Sequence, residues 1–348
     1  MWRIVNTANH VLNETSFWTF KGKNYNMANS GIVNRIFGIF PFLEILVRHI
    51  YWKTFIFTLL QLKKNKSPNR LIEPIEKVYL EWIFEQWTKW GIKPGDILIL
   101  NSSYFKLGIY HLEPEEIIDR IIKFLGPDGT LVMPAFAYFK NMPKGQDYLR
   151  KCLHSESFYY DASKNFITTG ILPGTLLKYK GAVRSRFPIN SLLAFGRYAL
   201  EIFEKEWTES NPLPCGKGSA WEYLSKKNAK IVSLGTDLTH SLTMIHVAED
   251  VNPNWPIHNW YRKRKYIING VADNKELILQ ERDPKWGALY FAERKLCDDL
   301  ICNGLMKSVI IDDVLTEMIE SVALLDYLNS RNIDGYPYYC IPKKYKNR

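Results

Sequence analysis

From about residue 76 the apolar positions of this chain switch repeatedly between helical and strand spacing. Pro74–Trp90 has apolar residues at helical intervals. Lys93-Pro94-Gly95-Asp96 then turns into the short branched run Ile97–Leu100, which has the length and composition of a buried strand. Glu113–Leu125 predicts a helix, with Pro114 and the acids Glu115 and Glu116 in its first turn, where a missing N–H and negative charge are both tolerated. Gly126-Pro127-Asp128-Gly129 makes a turn into a second strand over Thr130–Phe136. Ala229–Leu234 reads as a third strand, followed by a loop and a helix over Leu242–Asp250. Asp312–Asn329 predicts a late amphipathic helix, capped by Asp312, with Leu315, Met318, Ile319 and Val322 on one face. Strands alternating with helices indicate an α/β body.

Residues 1–75 follow another pattern. The apolar stretch Ile32–Leu62 is broken by Arg35, Pro41, Glu44, Arg48 and Lys53, so no uninterrupted part reaches the roughly 18–20 residues a bilayer span needs. It predicts one or two amphipathic helices, and Lys63–Arg70 reads as a polar linker. The expectation is a basic, aromatic-rich helical arm over 1–75, attached to a single domain over 76–348. The arm would pack on the body or on a second subunit of a homodimer. The alternative is peripheral contact with an anionic membrane surface.

The formal charge is +10, from 46 Lys+Arg and 36 Asp+Glu, but it is concentrated at the ends. Residues 1–70 hold 10 basic and 2 acidic groups, and Ile341–Arg348 holds four basic ones. Residues 71–340 are balanced at 32 basic and 34 acidic. A nucleic-acid-binding body would carry its own excess, so no nucleic-acid partner is expected. Five cysteines without a C-x-x-C pair, and no apolar leader in Met1–His10, predict a reduced, cytoplasmic protein, held at the inner face of the membrane if the arm binds there.

Gly216-Lys217-Gly218-Ser219 superficially suggests a phosphate loop. The pattern fails because Asn211 stands where its first glycine belongs and Gly218 where Ser or Thr must follow the lysine. A capping box of Ser219 and Glu222 is the better reading. His246 and Glu249, at i and i+3 on one helix face, can form an imidazole–carboxylate pair fit for general-base work, or a purely structural hydrogen bond. No H-E-x-x-H is present, and His240 and His258 have no ligand spacing to His246, so no metal is expected. Asn101-Ser102-Ser103 follows Ile97–Leu100, at the strand end where α/β sheets usually bind ligands, and an ordinary polar turn is the bland alternative.

Several stretches occur together in a specific order: GDILILNSSYFKLG (Gly95–Gly108), GPDGTLVMPAFAY (Gly126–Tyr138), TTGILP (Thr168–Pro173), GAVRSRFPINSLLAFG (Gly181–Gly196), PLPCGKGSAWEYL (Pro212–Leu224) and VSLGTDLTHSLTMIHVAE (Val232–Glu249). With them the chain resembles the aminoglycoside 3-N-acetyltransferase, or antibiotic N-acetyltransferase, family over roughly residues 75–270. It departs from the family at Asn101, where a histidine is frequent, and at Phe187–Pro188, where many antibiotic-modifying members have His–Pro.

The resemblance implies a central mixed sheet flanked by helices, and transfer of an acetyl or short acyl group from acetyl-CoA to the amine of a sugar. It implies His246 as base, Glu249 as its orienting carboxylate and Ser103 at the thioester. It implies Ser102, Ser103, Arg184, Ser185, Phe136 and Tyr138 around coenzyme A, and Thr243, Asp237, Tyr261 and Arg262 around the acceptor. Cations such as Arg184, Arg186 and Arg262-Lys263-Arg264-Lys265 suit a diphosphate but equally the phosphates of coenzyme A; the lost His–Pro and the added amino-terminal arm favour a nucleotide-linked amino sugar of surface-polysaccharide synthesis as acceptor. The alternatives are an aminoglycoside antibiotic and, from another class, a non-catalytic scaffold on the same fold.

Overall fold

The computed structural model describes residues 32–53, 80–143, 146–150, 156–331 and 338–346. Ile97–Ser102 (β1) lies at the centre of a seven-stranded sheet and is parallel to both neighbours, Thr130–Pro134 (β2) and Lys230–Leu234 (β6). Val183–Arg184 (β4) and Leu192–Gly196 (β5) extend the sheet beyond β2. Lys307–Ile311 (β9) and Val314–Glu320 (β10) extend it beyond β6. All these flanking pairings are antiparallel, so the sheet is mixed and its order is β4-β5-β2-β1-β6-β10-β9. A smaller sheet joins Ser157–Tyr160 (β3), Tyr261–Ile268 (β7) and Glu276–Arg282 (β8).

Alternation along the central strands divides the core between the two sheet faces. Ile97, Ile99, Val132 and Ile231 pack with Trp221 and Leu224 of Ala220–Lys226 (α7), while Leu98, Leu100, Leu131 and Val232 pack with Ile83 and Trp87 of Leu80–Lys89 (α3) and Ile117, Ile118 and Ile121 of Pro114–Leu125 (α4). Both faces of these strands are covered, which is why they read as continuous apolar runs. The capping signals hold in part. Glu113 and Glu116 close the box at the start of α4, and Ser219 accepts from the Glu222 amide at 3.1 Å, but the Glu222 carboxylate reaches back to the Gly218 amide (2.8 Å) rather than to its own cap residue.

The late helix begins later than its spacing suggests. Val314–Glu320 is a strand, and only Ser321–Arg331 (α10) is helical. Asp312 does not cap a helix: with Asp313 it forms the two-residue hairpin turn between β9 and β10, both residues having positive φ (47° and 62°). Leu315, Met318 and Ile319 fit a helical stripe, but strand β10 is buried along nearly its whole length, so periodicity cannot separate the two readings.

The part of residues 1–75 that is described forms two helices, Ile32–Ile39 (α1) and Pro41–Lys53 (α2). Arg48 Nη2 bonds Glu44 Oε1 (2.9 Å) on its own helix and Glu293 Oε2 (2.7 Å) at the start of Glu293–Cys302 (α9). Arg294 Nη1 returns to Glu44 at 2.8 Å, and Trp52 packs on Ala288 and Leu289. The described helices are therefore keyed into the body by buried charges, while Ile39, Phe40, Phe42 and Leu46 face solvent. The linker Lys63–Arg70 and the expected helix start at Pro74 lie outside the described residues. Among those described, no helix is long and apolar enough to cross a membrane. Cys152 is likewise outside them, and Cys215, Cys297, Cys302 and Cys340 are free thiols.

Candidate active site

Beside the sheet lies a cleft of about 1250 Å³. Its walls come from residues 136–143 after β2, Tyr148 of the short helix Gln146–Arg150 (α5), residues 164–178 around the short helix Ile171–Leu176 (α6), residues 239–250 ending in the helix Ile245–Asp250 (α8), the end of β8, the start of α9, and Arg48 and Trp52 of α2. The volume exceeds the roughly 300–1,000 Å³ of an ordinary small-molecule pocket, leaving room for two substrates.

His246 stands in the first turn of α8 and lines the cleft. Its Nδ1 lies 2.7 Å from Glu249 Oε2, one turn later, and Glu249 is wholly buried. The other carboxylate oxygen accepts from the Tyr339 hydroxyl at 2.7 Å, and Arg282 Nη1 donates to that hydroxyl. Burial first, and then the Arg282 charge, hold the His246 imidazole below its ordinary pKa against the opposing pull of Glu249. Burial works against the Glu249 carboxylate too, but His246, Arg282 and Tyr339 outweigh it and the net shift is downward. The outcome is an ionised carboxylate beside a neutral ring. An acceptor at Nδ1 selects the tautomer with hydrogen there, which leaves the Nε2 lone pair free to take a proton.

A second imidazole shares the cleft. His240 Nδ1 is 2.9 Å from Asp237 Oδ1, and Nε2 is 3.6 Å from Glu293 Oε2. Burial opposes its charged form, but Asp237 and Glu293 raise the pKa overall. Among the described residues, no group of three or more His, Cys, Asp or Glu side chains could hold a metal ion.

The other sequence-derived candidates divide sharply. Phe136, Tyr138 and Thr243 line the cleft with His246. Ser102 and Ser103 sit half-buried at the end of β1 and are not among the residues lining the cleft, although a Cβ on Gly170 of its wall would lie 3.9 Å from the Ser102 carbonyl. Gly235 (φ +71°) lies against them: a Cβ there would come within 3.1 Å of the Ser103 carbonyl. Arg184, expected near coenzyme A, is buried and donates to the carbonyls of Ala135 (2.6 Å), Asn165 (2.7 Å) and Ala162 (3.2 Å). With its guanidinium turned onto backbone, it braces the two segments of the cleft wall instead of meeting phosphate. Ser185 is buried between Glu206 and the Phe187 backbone.

The expected acceptor residues Asp237, Tyr261 and Arg262 also lie one layer back. Asp237 orients His240. Tyr261 donates to Asp250 Oδ1 at 2.9 Å. Arg262 pairs with Glu281 at 2.7 Å and stacks over Tyr148. Their partners His240, Asp250 and Glu281 are what the cleft displays. Local spacing could have pointed to Asp250, at i+4 from His246. Tyr339 and Arg282 reach the site from distant segments and leave no local signal.

The family model described as Aminoglycoside 3-N-acetyltransferase matches residues 99–329. The chain belongs to this family. Among individual relatives, the aminoglycoside N(3)-acetyltransferase IX of Micromonospora chalcea is 30% identical over 167 residues, 46% of this chain and 57% of that enzyme. The aminoglycoside N(3)-acetyltransferase III of Acinetobacter baumannii is 26% identical over 214 residues, 55% and 72% of the two chains. The chain thus matches a little over half the length of the Micromonospora enzyme. Its fold is similar to that of the solved aminoglycoside acetyltransferase AAC(3)-Xa, with a TM-score of 0.60 at 18% identity over 75% of this chain and 94% of the other. It is equally similar to AAC-IIIb in its binary complex with CoASH, again at 0.60, with 17% identity over 75% and 99%. Helix α2, which carries both Arg48 and Trp52, precedes the segment that matches the family model.

Proposed function

We propose that the protein is an acetyl-CoA-dependent N-acetyltransferase whose acceptor is an amine of an aminoglycoside-type amino sugar, and that His246 is its general base. The observation carrying this is the pair at 2.7 Å between His246 Nδ1 and the buried Glu249 carboxylate, with the ring facing a cleft large enough for both substrates. The acceptor amine is mostly protonated near neutrality. Once it has lost its extra proton, its attack on the thioester carbonyl leaves a positively charged nitrogen, and Nε2 takes a proton from it as the C–N bond forms. Collapse of the tetrahedral adduct breaks the C–S bond, and the proton on Nε2 goes to the departing thiolate. Glu249, fixed by Tyr339, holds the ring in one tautomer and stabilises the transient imidazolium.

For coenzyme A, the wall over 136–139 and 164–178 offers Phe136 and Tyr138 as apolar surface and the exposed Lys164 and Lys178 as cations for phosphate. On another wall, Asp250, Glu281 and Glu293 line the cleft, with Glu281 and Glu293 already paired to arginines. Cations that could have met the diphosphate of a nucleotide-linked acceptor are largely engaged within the protein: Arg184 with carbonyls, and Arg262 and Arg264 with Glu281. The relatives matched carry aminoglycoside names. Both observations support the aminoglycoside alternative over the nucleotide-sugar reading.

Thiol release from acetyl-CoA tests this with kanamycin A and UDP-glucosamine offered separately. Release with kanamycin A alone is expected. Release with the nucleotide sugar alone reverses the acceptor assignment, and silence with every amine favours a non-catalytic protein.

A further inference from the structure

His246 and Asp250 are the only members of α8 that are not buried. They stand at i and i+4 on one face, and both line the cleft. The mechanism uses the first and leaves the second without a task. Asp250 Oδ1 accepts from the Tyr261 hydroxyl at 2.9 Å, and Oδ2 accepts from the Cys215 backbone amide at 3.0 Å. A carboxylate offers about four acceptor positions, so both oxygens keep capacity toward the cleft. The groups around it are Glu249 and His246 on its own helix, Cys215 from the segment before α7, Tyr261 of β7 and Arg282 at the end of β8. The Arg282 guanidinium bonds the Tyr339 hydroxyl. Two adjacent carboxyls, Glu249 and Asp250, thus share one nearby arginine.

Building on the acceptor reading above, we propose that Asp250 is an acceptor-binding residue that holds a second ammonium group of a polyamine sugar one helical turn from His246, and so selects which amine is acetylated. The spacing of about 5–6 Å between positions i and i+4 suits two amines carried on one sugar or cyclitol ring. The arrangement also couples binding to protons. Burial first, then the charge of Glu249, push the Asp250 carboxyl up to about 7. Below that pH the free carboxyl holds its proton. Docking of an ammonium favours the ionised form and releases that proton to solvent, so acceptor binding strengthens as pH rises through about 7.

The test is steady-state thiol release with kanamycin A and acetyl-CoA between pH 6 and 8. Asp250→Asn is expected to raise the KM for kanamycin A about tenfold or more, the loss of one charge-assisted contact. It should flatten the pH dependence of that KM and leave the KM for acetyl-CoA unchanged, while Asp250→Glu restores part of the affinity. An unchanged kanamycin KM, or an equal rise for acetyl-CoA, overturns the proposal. Should Asp250→Asn not fold, carboxyl carbon-13 NMR of the aspartate-labelled wild type decides. The aspartate titrating near neutrality must shift to lower pH on addition of kanamycin A, and an unmoved midpoint overturns the assignment. Wild-type turnover separates the two claims. If the wild type acetylates kanamycin A and the variant keeps its KM, only the Asp250 assignment falls. If the wild type releases no thiol with kanamycin A, the acceptor reading falls and takes this assignment with it.

Discussion

The Tyr339 hydroxyl donates to Glu249 Oε1 over 2.7 Å, joining residues ninety positions apart in the chain. That bond reaches the base through one intermediary, because the other oxygen of the same carboxylate holds His246. Tyr339→Phe removes a hydrogen bond to a buried charge, a loss of about 1.5–3 kcal/mol. Part of it should appear as a fall in kcat of about tenfold, with KM for both substrates nearly unchanged. A variant with full kcat would show that Tyr339 does not position the pair.

His246→Asn keeps a polar side chain but removes the titrating group, and turnover should fall by about 10²–10⁴-fold. In the wild type the neutral ring is the active form. Because burial and Arg282 hold its pKa below the ordinary imidazole value, kcat should stay on its plateau at pH 7 and decline only in more acid solution. Glu249→Gln takes away the charge that favours imidazolium. The acid limb should therefore move to still lower pH, even as the rate drops through loss of orientation. A rate profile whose midpoint lies above neutrality would contradict this.

Arg48 lies within hydrogen-bond distance of two carboxylates, Glu44 and Glu293, in a largely buried cluster. Arg48→Ala leaves both without that cation and should cost about 3–5 kcal/mol, the usual penalty for breaking a buried pair from one side. Urea unfolding would read it directly. Removing residues 1–53 should also impair acceptor turnover, since Arg48 and Trp52 form part of the cleft wall. Full activity after truncation would show that the segment is dispensable for the chemistry.

Glu317 is buried in β10, where its oxygens accept from the Leu238 amide (2.6 Å) and the Ser308 hydroxyl (3.0 Å). Burial pushes it up to about 7. The folded state therefore binds this proton more tightly than the unfolded chain does. The contribution is fully present below the unfolded carboxyl pKa of about 4.3 and is lost as pH rises through about 7. Glu317→Gln imitates the protonated acid. Relative to wild type, its stability should improve between pH 5 and pH 8, by on the order of 3 kcal/mol. An equal difference at both pH values would show that the carboxyl is ionised throughout.

The parts of this architecture legible in the sequence were those governed by local pattern. Ile97–Leu100 and Ala229–Leu234 are apolar because both faces of their strands are covered, and His246–Glu249 is visible because i and i+3 meet on any helix. Where two local patterns coincide, as in Val314–Glu320, spacing favoured the helix and only the pairing with β6 and β9 decides for a strand. Arg184 and Ser185 were drawn to the coenzyme by resemblance, yet burial commits Arg184 to three carbonyls and Ser185 to Glu206. Tyr339 and Arg282 were illegible because nothing near them in the chain marks them as neighbours of Glu249.

The contact between Arg48 and Glu293 spans 245 residues. During synthesis Arg48 has Glu44 of its own helix as a partner at once, but Glu293 becomes available only after the chain has been made as far as α9. The wall that this pair completes is therefore among the last features to assemble, so a nascent chain that has already formed most of its central sheet still lacks a finished chamber for its substrates.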